Sequence, residues 1–211
     1  MSSPSLARRE RLSLCDTALA LGEDAPTLCG GWTAKDLVAH LLVRESRPLG
    51  ALGIAVPGLG GMTERDMAKL GKRDFGVLVE TLRHPRFTPY AIPPVDRLLN
   101  TLEYFVHLED LRRAQPDWEP RDLDGHDQSR LWSAIRVAGR GLVRPAAVPV
   151  TIRRSDTGAS AVLRRGDDPV TVTGPPSEIV LLLFGRDQVK GLDLQGPADR
   201  VAKLRRSDLG L

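Results

Sequence analysis

Two side chains that are four positions apart, Glu103 and His107, are the clearest candidates for chemistry in this sequence. If the stretch is helical, residues i and i+4 lie one above the other on one face, so the carboxylate and the imidazole can reach the same metal ion. Both fall on the flank of the apolar stripe, where a residue lining a cavity between packed helices lies. The spacing therefore predicts two ligands of a metal site.

His40 is a third candidate ligand, with Asp36 four positions before it and Arg44 four positions after it. Two histidines and one carboxylate leave coordination positions open for water or substrate, as in catalytic zinc sites. The same ligands suit non-haem Fe(II) and other divalent ions. Spacing alone leaves another reading open, in which Glu103 and His107 form an ordinary hydrogen-bonded pair on a solvated face and His40 is unrelated to them.

The elements that must position these residues are helices. Apolar periodicity and capping residues predict helices over residues 3–21, 34–47, 63–82, 95–114 and 127–142. Thr33 is the predicted N-cap of the second helix, and Gly71 and Gly76 weaken the third. The uncharged, glycine-rich residues 48–62 and the proline-rich residues 84–94 are predicted to be irregular. Four or five amphipathic helices of these lengths predict a helical bundle.

The chain changes character near residue 145. Beyond it, strands are predicted over residues 148–154, 159–165, 170–173 and 189–194, the first two forming a hairpin, with short helices over 178–184 and 197–206. We therefore expect an α+β protein with two domains. Residues 1–145 would form the helical metal-binding bundle, and residues 146–211 a small α+β C-terminal domain.

Composition excludes several functional classes. The chain has 211 residues, of which 41% are hydrophobic and 27% charged, values typical of a globular protein rather than a disordered one. Its longest apolar run, residues 179–184, is far shorter than the roughly 20 residues that span a bilayer. No signal peptide is visible, so a cytoplasmic location is expected. The net charge of +3 is spread along the chain, which argues against nucleic acid as a partner.

The two cysteines, Cys15 and Cys29, are too few for a disulfide framework or a cysteine-rich zinc site. Neither has a neighbouring histidine or a clear activating context in the sequence. We expect both to be small, buried or half-buried residues, and we expect the chemistry to need no protein cysteine.

Residues 31–41, GWTAKDLVAHL, resemble the signature helix of the DinB-like superfamily, and in particular the branch that contains mycothiol-dependent maleylpyruvate isomerase. Residues 103–114, EYFVHLEDLRRA, are similar to the second ligand helix of that branch, and residues 172–186 to its small C-terminal domain. The metal triad of the family maps onto His40, Glu103 and His107.

The resemblance implies a DinB-like four-helix bundle with a divalent metal, zinc being favoured, and a low-molecular-weight thiol such as the mycothiol of actinobacteria. A metal with an open position ionises a coordinated thiol, and the thiolate can add to an electrophilic substrate in thiol transfer or cis–trans isomerisation. The expected protein is a monomer or homodimer. Three alternatives stay open: a non-catalytic, stress-linked metal binder, a metal-dependent hydrolase, and an interaction module without metal.

Spacing also suggests residues that orient the ligands. Asp110 follows His107 by three positions and Asp36 precedes His40 by four, so either carboxylate could accept the second N–H of an imidazole. Equally, Asp36 could only cap its helix and Asp110 could only pair with Arg113.

Three arginines and two further histidines are weaker candidates for the site. Arg44, Arg112 and Arg113 could bind an anionic substrate or the thiol, although such arginines more often pair with nearby acids. His84 and His126 are remaining candidates for a fourth ligand.

Overall fold

The computed structural model describes residues 4–46, 66–67, 69–84 and 93–210. These residues form two compact units, Met1–Glu119 and Pro120–Leu211. The glycine-rich residues 48–62, and most of the proline-rich residues 84–94, lie outside the described residues or have undescribed side chains. Together the units make a mixed α+β fold, which confirms the predicted fold class.

The first unit contains four named helices: α1 (Leu6–Leu21), α2 (Ala34–Ser46), α3 (Phe75–Arg83) and α4 (Pro93–Arg113). Helix α1 packs against α4 and α3, and α2 packs against α3. Their apolar stripes meet in one core, in which Tyr104 and several leucines are fully buried. Burial of each leucine side chain contributes about 1.5–3 kcal/mol to the free energy of folding, so this core determines which face of each helix points inward. The core consists of Leu14, Cys15, Ala18, Ala34, Leu37, Val38, Leu41, Leu78, Val79, Leu82, Tyr104, Leu108 and Leu111.

The predicted single helix over residues 63–82 is wrong. The backbone N–H of Gly71 donates to the carbonyl of Met67, and a turn follows. A new helix, α3, then begins at Phe75, where the Asp74 carboxylate accepts the N–H of Val77 at 3.0 Å. Gly71 weakens the helix at its end, and Asp74, three positions later, caps the start of the next one.

The second unit contains helix α5 (Gly125–Leu142), a four-stranded sheet and two shorter helices. The bounds of these elements are β1 (Val150–Arg154), β2 (Ser160–Arg164), β3 (Val170–Gly174), α6 (Pro176–Leu183), β4 (Asp193–Gln195) and α7 (Ala198–Arg205). The sheet order is β2-β1-β3-β4, with β1–β2 and β3–β4 antiparallel and β1–β3 parallel. The predicted hairpin between the first two strands is confirmed.

Helix α5 packs against α6 and β2, within the second unit. Gly139 permits this close approach, because a Cβ at that position would lie only 2.9 Å from Cδ1 of Leu163. The compact units thus divide the chain near residue 119, whereas the sequence pattern changes near 145. The domain boundary at 145 stays a prediction. Among the residues that the structure describes, no helix is long and apolar enough to cross a membrane.

Candidate metal centre

Helices α2 and α4 bring the three predicted ligands together. Glu103 and His107 are one turn apart on α4, with Nε2 of His107 3.5 Å from Oε2 of Glu103. The ring of His40, on α2, lies 5.5 Å from the ring of His107, centroid to centroid. One ligand atom from each of the three side chains lies within 4.8 Å of the other two.

These separations suit a common ion. Two nitrogen or oxygen ligands that are each about 2.1 Å from a tetrahedral zinc ion are about 3.4 Å from one another. The 3.5 Å between His107 and Glu103 matches that value. The 4.8 Å limit for the whole set is about 1.4 Å wider, so the ligands have to draw together by that amount at most when an ion binds.

The segment before α2 supports His40. The indole of Trp32 packs against the His40 ring, with 4.9 Å between the ring centroids. Asp36 accepts hydrogen bonds from the backbone N–H and the hydroxyl of Thr33, at 3.0 and 2.9 Å. Thr33 and Asp36 therefore form the predicted capping interaction, and Asp36 serves the start of the helix.

Asp110 supports His107. Nδ1 of His107 donates to Oδ2 of Asp110 at 2.9 Å, and the Asp110 side chain is fully buried. A carboxylate on one ring nitrogen orients the other toward a metal, as in many zinc sites. The sequence suggested two aspartates that could orient a histidine. Asp110 hydrogen-bonds to the imidazole of His107, whereas Asp36 hydrogen-bonds to Thr33.

The surroundings of His40 and Glu103 favour the protonation states that bind a metal, which are the neutral imidazole and the ionised carboxylate. Burial, and then the charge of His107, lowers the pKa of His40 to about 4, so its imidazole is neutral at pH 7. Burial raises the pKa of Glu103, but the hydrogen bond from His107 and the charge of Arg44 outweigh it and lower that pKa to about 2. Nε of Arg44 lies 3.5 Å from the Glu103 carboxylate, so Arg44 is paired within the site.

His107 behaves differently. Burial opposes its charged form, yet Asp110, Cys29 and Glu103 together raise its pKa well above the ordinary value. Nδ1 of His107 faces the Asp110 carboxylate and Nε2 faces the Glu103 carboxylate, so each ring nitrogen has a carboxylate that stabilises a hydrogen on it. A cation bound between Nε2 and Glu103 would take the place of a hydrogen on Nε2.

Cys29 is the residue that sequence reasoning missed. Its thiol donates to Oδ2 of Asp110 at 3.1 Å, and its sulfur lies 3.9 Å from Nδ1 of His107. No histidine neighbours Cys29 in the sequence, but the fold places His107 beside it, and the expectation that Cys29 is half-buried is confirmed. The N–H of Leu28 donates to the Asp110 carbonyl at 3.1 Å and holds the loop in place. The 78 positions between Cys29 and His107 left no local pattern to detect.

The other candidates are engaged elsewhere. Arg112 and Arg113 both bind the carboxylate of Glu109, at 2.9 and 2.5 Å, rather than facing the three ligands. His84 is largely exposed at the end of α3, and His126 is exposed at the start of α5 in the second unit. Neither belongs to the cluster of predicted ligands in the part of the chain that the structure describes.

The fold is similar to that of solved structures, although the sequence matches no family model. No curated protein matches the chain either. Two solved structures do match: the mycothiol-dependent maleylpyruvate isomerase and a histidine-to-alanine mutant of it. Each has a TM-score of 0.61 and 16% identity over 90% of both chains. The chain therefore has the fold of the maleylpyruvate isomerase type, as its resemblance to the DinB-like superfamily predicted.

Proposed function

We propose that this protein is a metal-dependent thiol transferase or isomerase, which binds one zinc ion through His40, Glu103 and His107 and uses a low-molecular-weight thiol such as mycothiol. The observation that carries the proposal is the convergence of the three ligand groups within 4.8 Å. The fold supports the choice of reaction, because a solved enzyme with that fold is named as mycothiol-dependent.

The residues fit the ion by chemistry as well as by distance. Two imidazoles and one carboxylate are a catalytic zinc set that leaves a position for a further ligand. The lowered pKa values keep His40 neutral and Glu103 ionised at pH 7, which are the forms that bind metal. A bound zinc ion would supply a Lewis acid that keeps a coordinated thiol ionised.

The protein's own groups hold that centre in shape. Asp110 fixes the ring of His107 through Nδ1, and Arg44 holds Glu103 through its Oε2 atom. Trp32 packs against His40 and limits rotation of its ring. Because these supports come from packed residues, they hold the three ligand side chains close together before any ion or thiol binds.

The nucleophile in the proposed reaction is the added thiol. Burial raises the pKa of Cys15 to about 11, so that side chain is a neutral core residue at pH 7. A thiolate that adds to one carbon of a conjugated double bond and stays bonded gives thiol transfer, because the neighbouring carbon then takes a proton from solvent. A thiolate that leaves again after rotation about the former double bond gives isomerisation, and the thiolate is regenerated. A cytoplasmic location, a monomer or homodimer and the absence of a nucleic-acid partner remain predictions.

Elemental analysis of the purified full chain tests the metal. We expect about one zinc per chain in the wild type, loss of zinc in His107→Ala, and full zinc in His126→Ala, whose histidine is exposed and remote in sequence. No zinc in the wild type after incubation with the ion, or equal zinc in both variants, would contradict the proposed site.

Turnover assays test the reaction. Zinc-loaded protein should convert electrophilic conjugated acids only when a low-molecular-weight thiol is added, and His40→Ala should remove that activity. Turnover without thiol would instead identify a hydrolase that uses metal-bound water. Saturable zinc binding with no turnover under either condition would identify a non-catalytic metal-binding protein.

A further inference from the structure

Cys29, Asp110 and Nδ1 of His107 form a second group of metal-ligating atoms, on the opposite edge of the imidazole from Glu103. We propose that this group is a separate binding site for thiophilic divalent ions such as Cd²⁺, and that an ion bound there prevents zinc from using His107. This inference depends on the proposed function only because His107 belongs to both the zinc site and the second site.

The distances are close to those that an ion needs. With zinc-like bond lengths, a nitrogen and an oxygen ligand are about 3.4 Å apart, and sulfur is about 3.6 Å from either. The structure has 2.9 Å from His107 to Asp110, 3.1 Å from Cys29 to Asp110, and 3.9 Å from Cys29 to His107. Each separation therefore changes by only about half an ångström when an ion enters.

The donor set selects the kind of ion. One thiolate beside an imidazole and a carboxylate favours softer ions over magnesium or calcium. The Asp110 side chain is fully buried, His107 is buried and Cys29 is half-buried, so the site has little competing water. The loop that carries Cys29 is tied to α4 by the hydrogen bond from Leu28 to the Asp110 carbonyl, which keeps the sulfur in reach.

The proton balance links the two sites. When an ion binds at Nδ1, the thiol proton of Cys29 and the Nδ1 proton of His107 leave to solvent. A neutral imidazole has one lone pair and one N–H, so when an ion occupies Nδ1 the hydrogen is on Nε2, which lies 3.5 Å from Glu103 and then has no lone pair to offer zinc. The two ions therefore compete for one imidazole, and a thiophilic ion inhibits whatever activity depends on the zinc site.

Titration of the metal-free full chain with Cd²⁺ tests the site, because a thiolate ligand gives a charge-transfer absorption in the ultraviolet. We expect that band at one Cd²⁺ per chain. In a parallel titration of zinc-loaded protein, we expect Cd²⁺ to displace the zinc. Cys29→Ser should abolish the band and weaken Cd²⁺ binding at least about 100-fold, while its zinc affinity stays within about tenfold of wild type. The band should persist in His40→Ala, and in Cys15→Ala as the matched thiol control.

Cadmium NMR of the wild-type protein gives a second measurement that needs no variant, and it should report a single sulfur ligand. A wild type without the band, a band that survives in Cys29→Ser, or two Cd²⁺ ions per chain would overturn the proposal. If that happens while zinc still binds at one per chain, the zinc site stands and only the second site fails. Loss of zinc binding in the wild type would instead refute the proposed function.

Discussion

Replacement of Asp110 should weaken zinc binding although this residue is not one of the proposed ligands. Its carboxylate accepts the Nδ1 hydrogen of His107 at 2.9 Å and is fully buried. Removal of the charge loosens the ring and makes its second nitrogen a poorer ligand. The effect should therefore appear in metal affinity as well as in stability.

The loss of zinc affinity can be estimated from the hydrogen bond between His107 and Asp110. Hydrogen bonds to charged groups contribute about 1.5–3 kcal/mol to stability, whereas neutral pairs contribute about 1 kcal/mol. In Asp110→Asn the amide oxygen can still accept from Nδ1, so the loss is about 1.4 kcal/mol, or tenfold in zinc affinity. Asp110→Ala leaves Nδ1 without this acceptor and should weaken binding about 100-fold.

Competition with a chromogenic chelator measures the zinc affinity of each variant, with circular dichroism to check the fold. Asp36→Asn is the matched control, because Asp36 also lies near a proposed histidine ligand in sequence but binds Thr33. That variant should lose about 1 kcal/mol of stability through its cap and keep wild-type zinc affinity. Equal losses of affinity in the two variants, or no loss in Asp110→Asn, would refute this account.

Three further results are expected. Arg113→Met should lower the free energy of unfolding in urea by about 2 kcal/mol, because it removes one charged hydrogen bond to the buried Glu109 and leaves the one from Arg112; a loss below about 1 kcal/mol would count against this. Near pH 8, thiol alkylation followed by peptide mapping should leave Cys15 unmodified until the protein is denatured, since burial raises its pKa to about 11. In metal-free protein, NMR should show His40 titrating near pH 4, because burial and then His107 lower its pKa from 6.5. The unfolded chain binds that proton at higher pH, so stability should fall as pH drops from about 6.5 to 4, and this part of the fall should be missing in His40→Ala.

The sequence predicted those parts of the molecule that depend on neighbours along the chain. Apolar spacing and caps located α1, α2, α4 and α5 to within a few residues, and the turn at residues 156–158 located the first hairpin. The pairing of Glu103 with His107 also follows from one helical turn. His40 was a candidate from its place on the second helix, but the resemblance to a family was needed to join it to the pair, because no spacing rule connects α2 with α4.

Other features depend on packing that local patterns do not record. Asp36 and Asp110 were equivalent by spacing, and the rotation of each helix decides which one reaches an imidazole. Cys29 enters the centre through a loop that hydrogen-bonds to α4. The place of α5 beside the sheet is set by close approach at Gly139, a contact with a strand that follows later in the chain.

Anomalous diffraction from crystals of the zinc-loaded protein would test the central claim most directly. The account predicts one zinc peak per chain, about 2.0–2.2 Å from a ring nitrogen of His40, an Oε atom of Glu103 and Nε2 of His107. A zinc peak bound instead to Nδ1 of His107 and the Cys29 sulfur, or no peak near these residues, would contradict it.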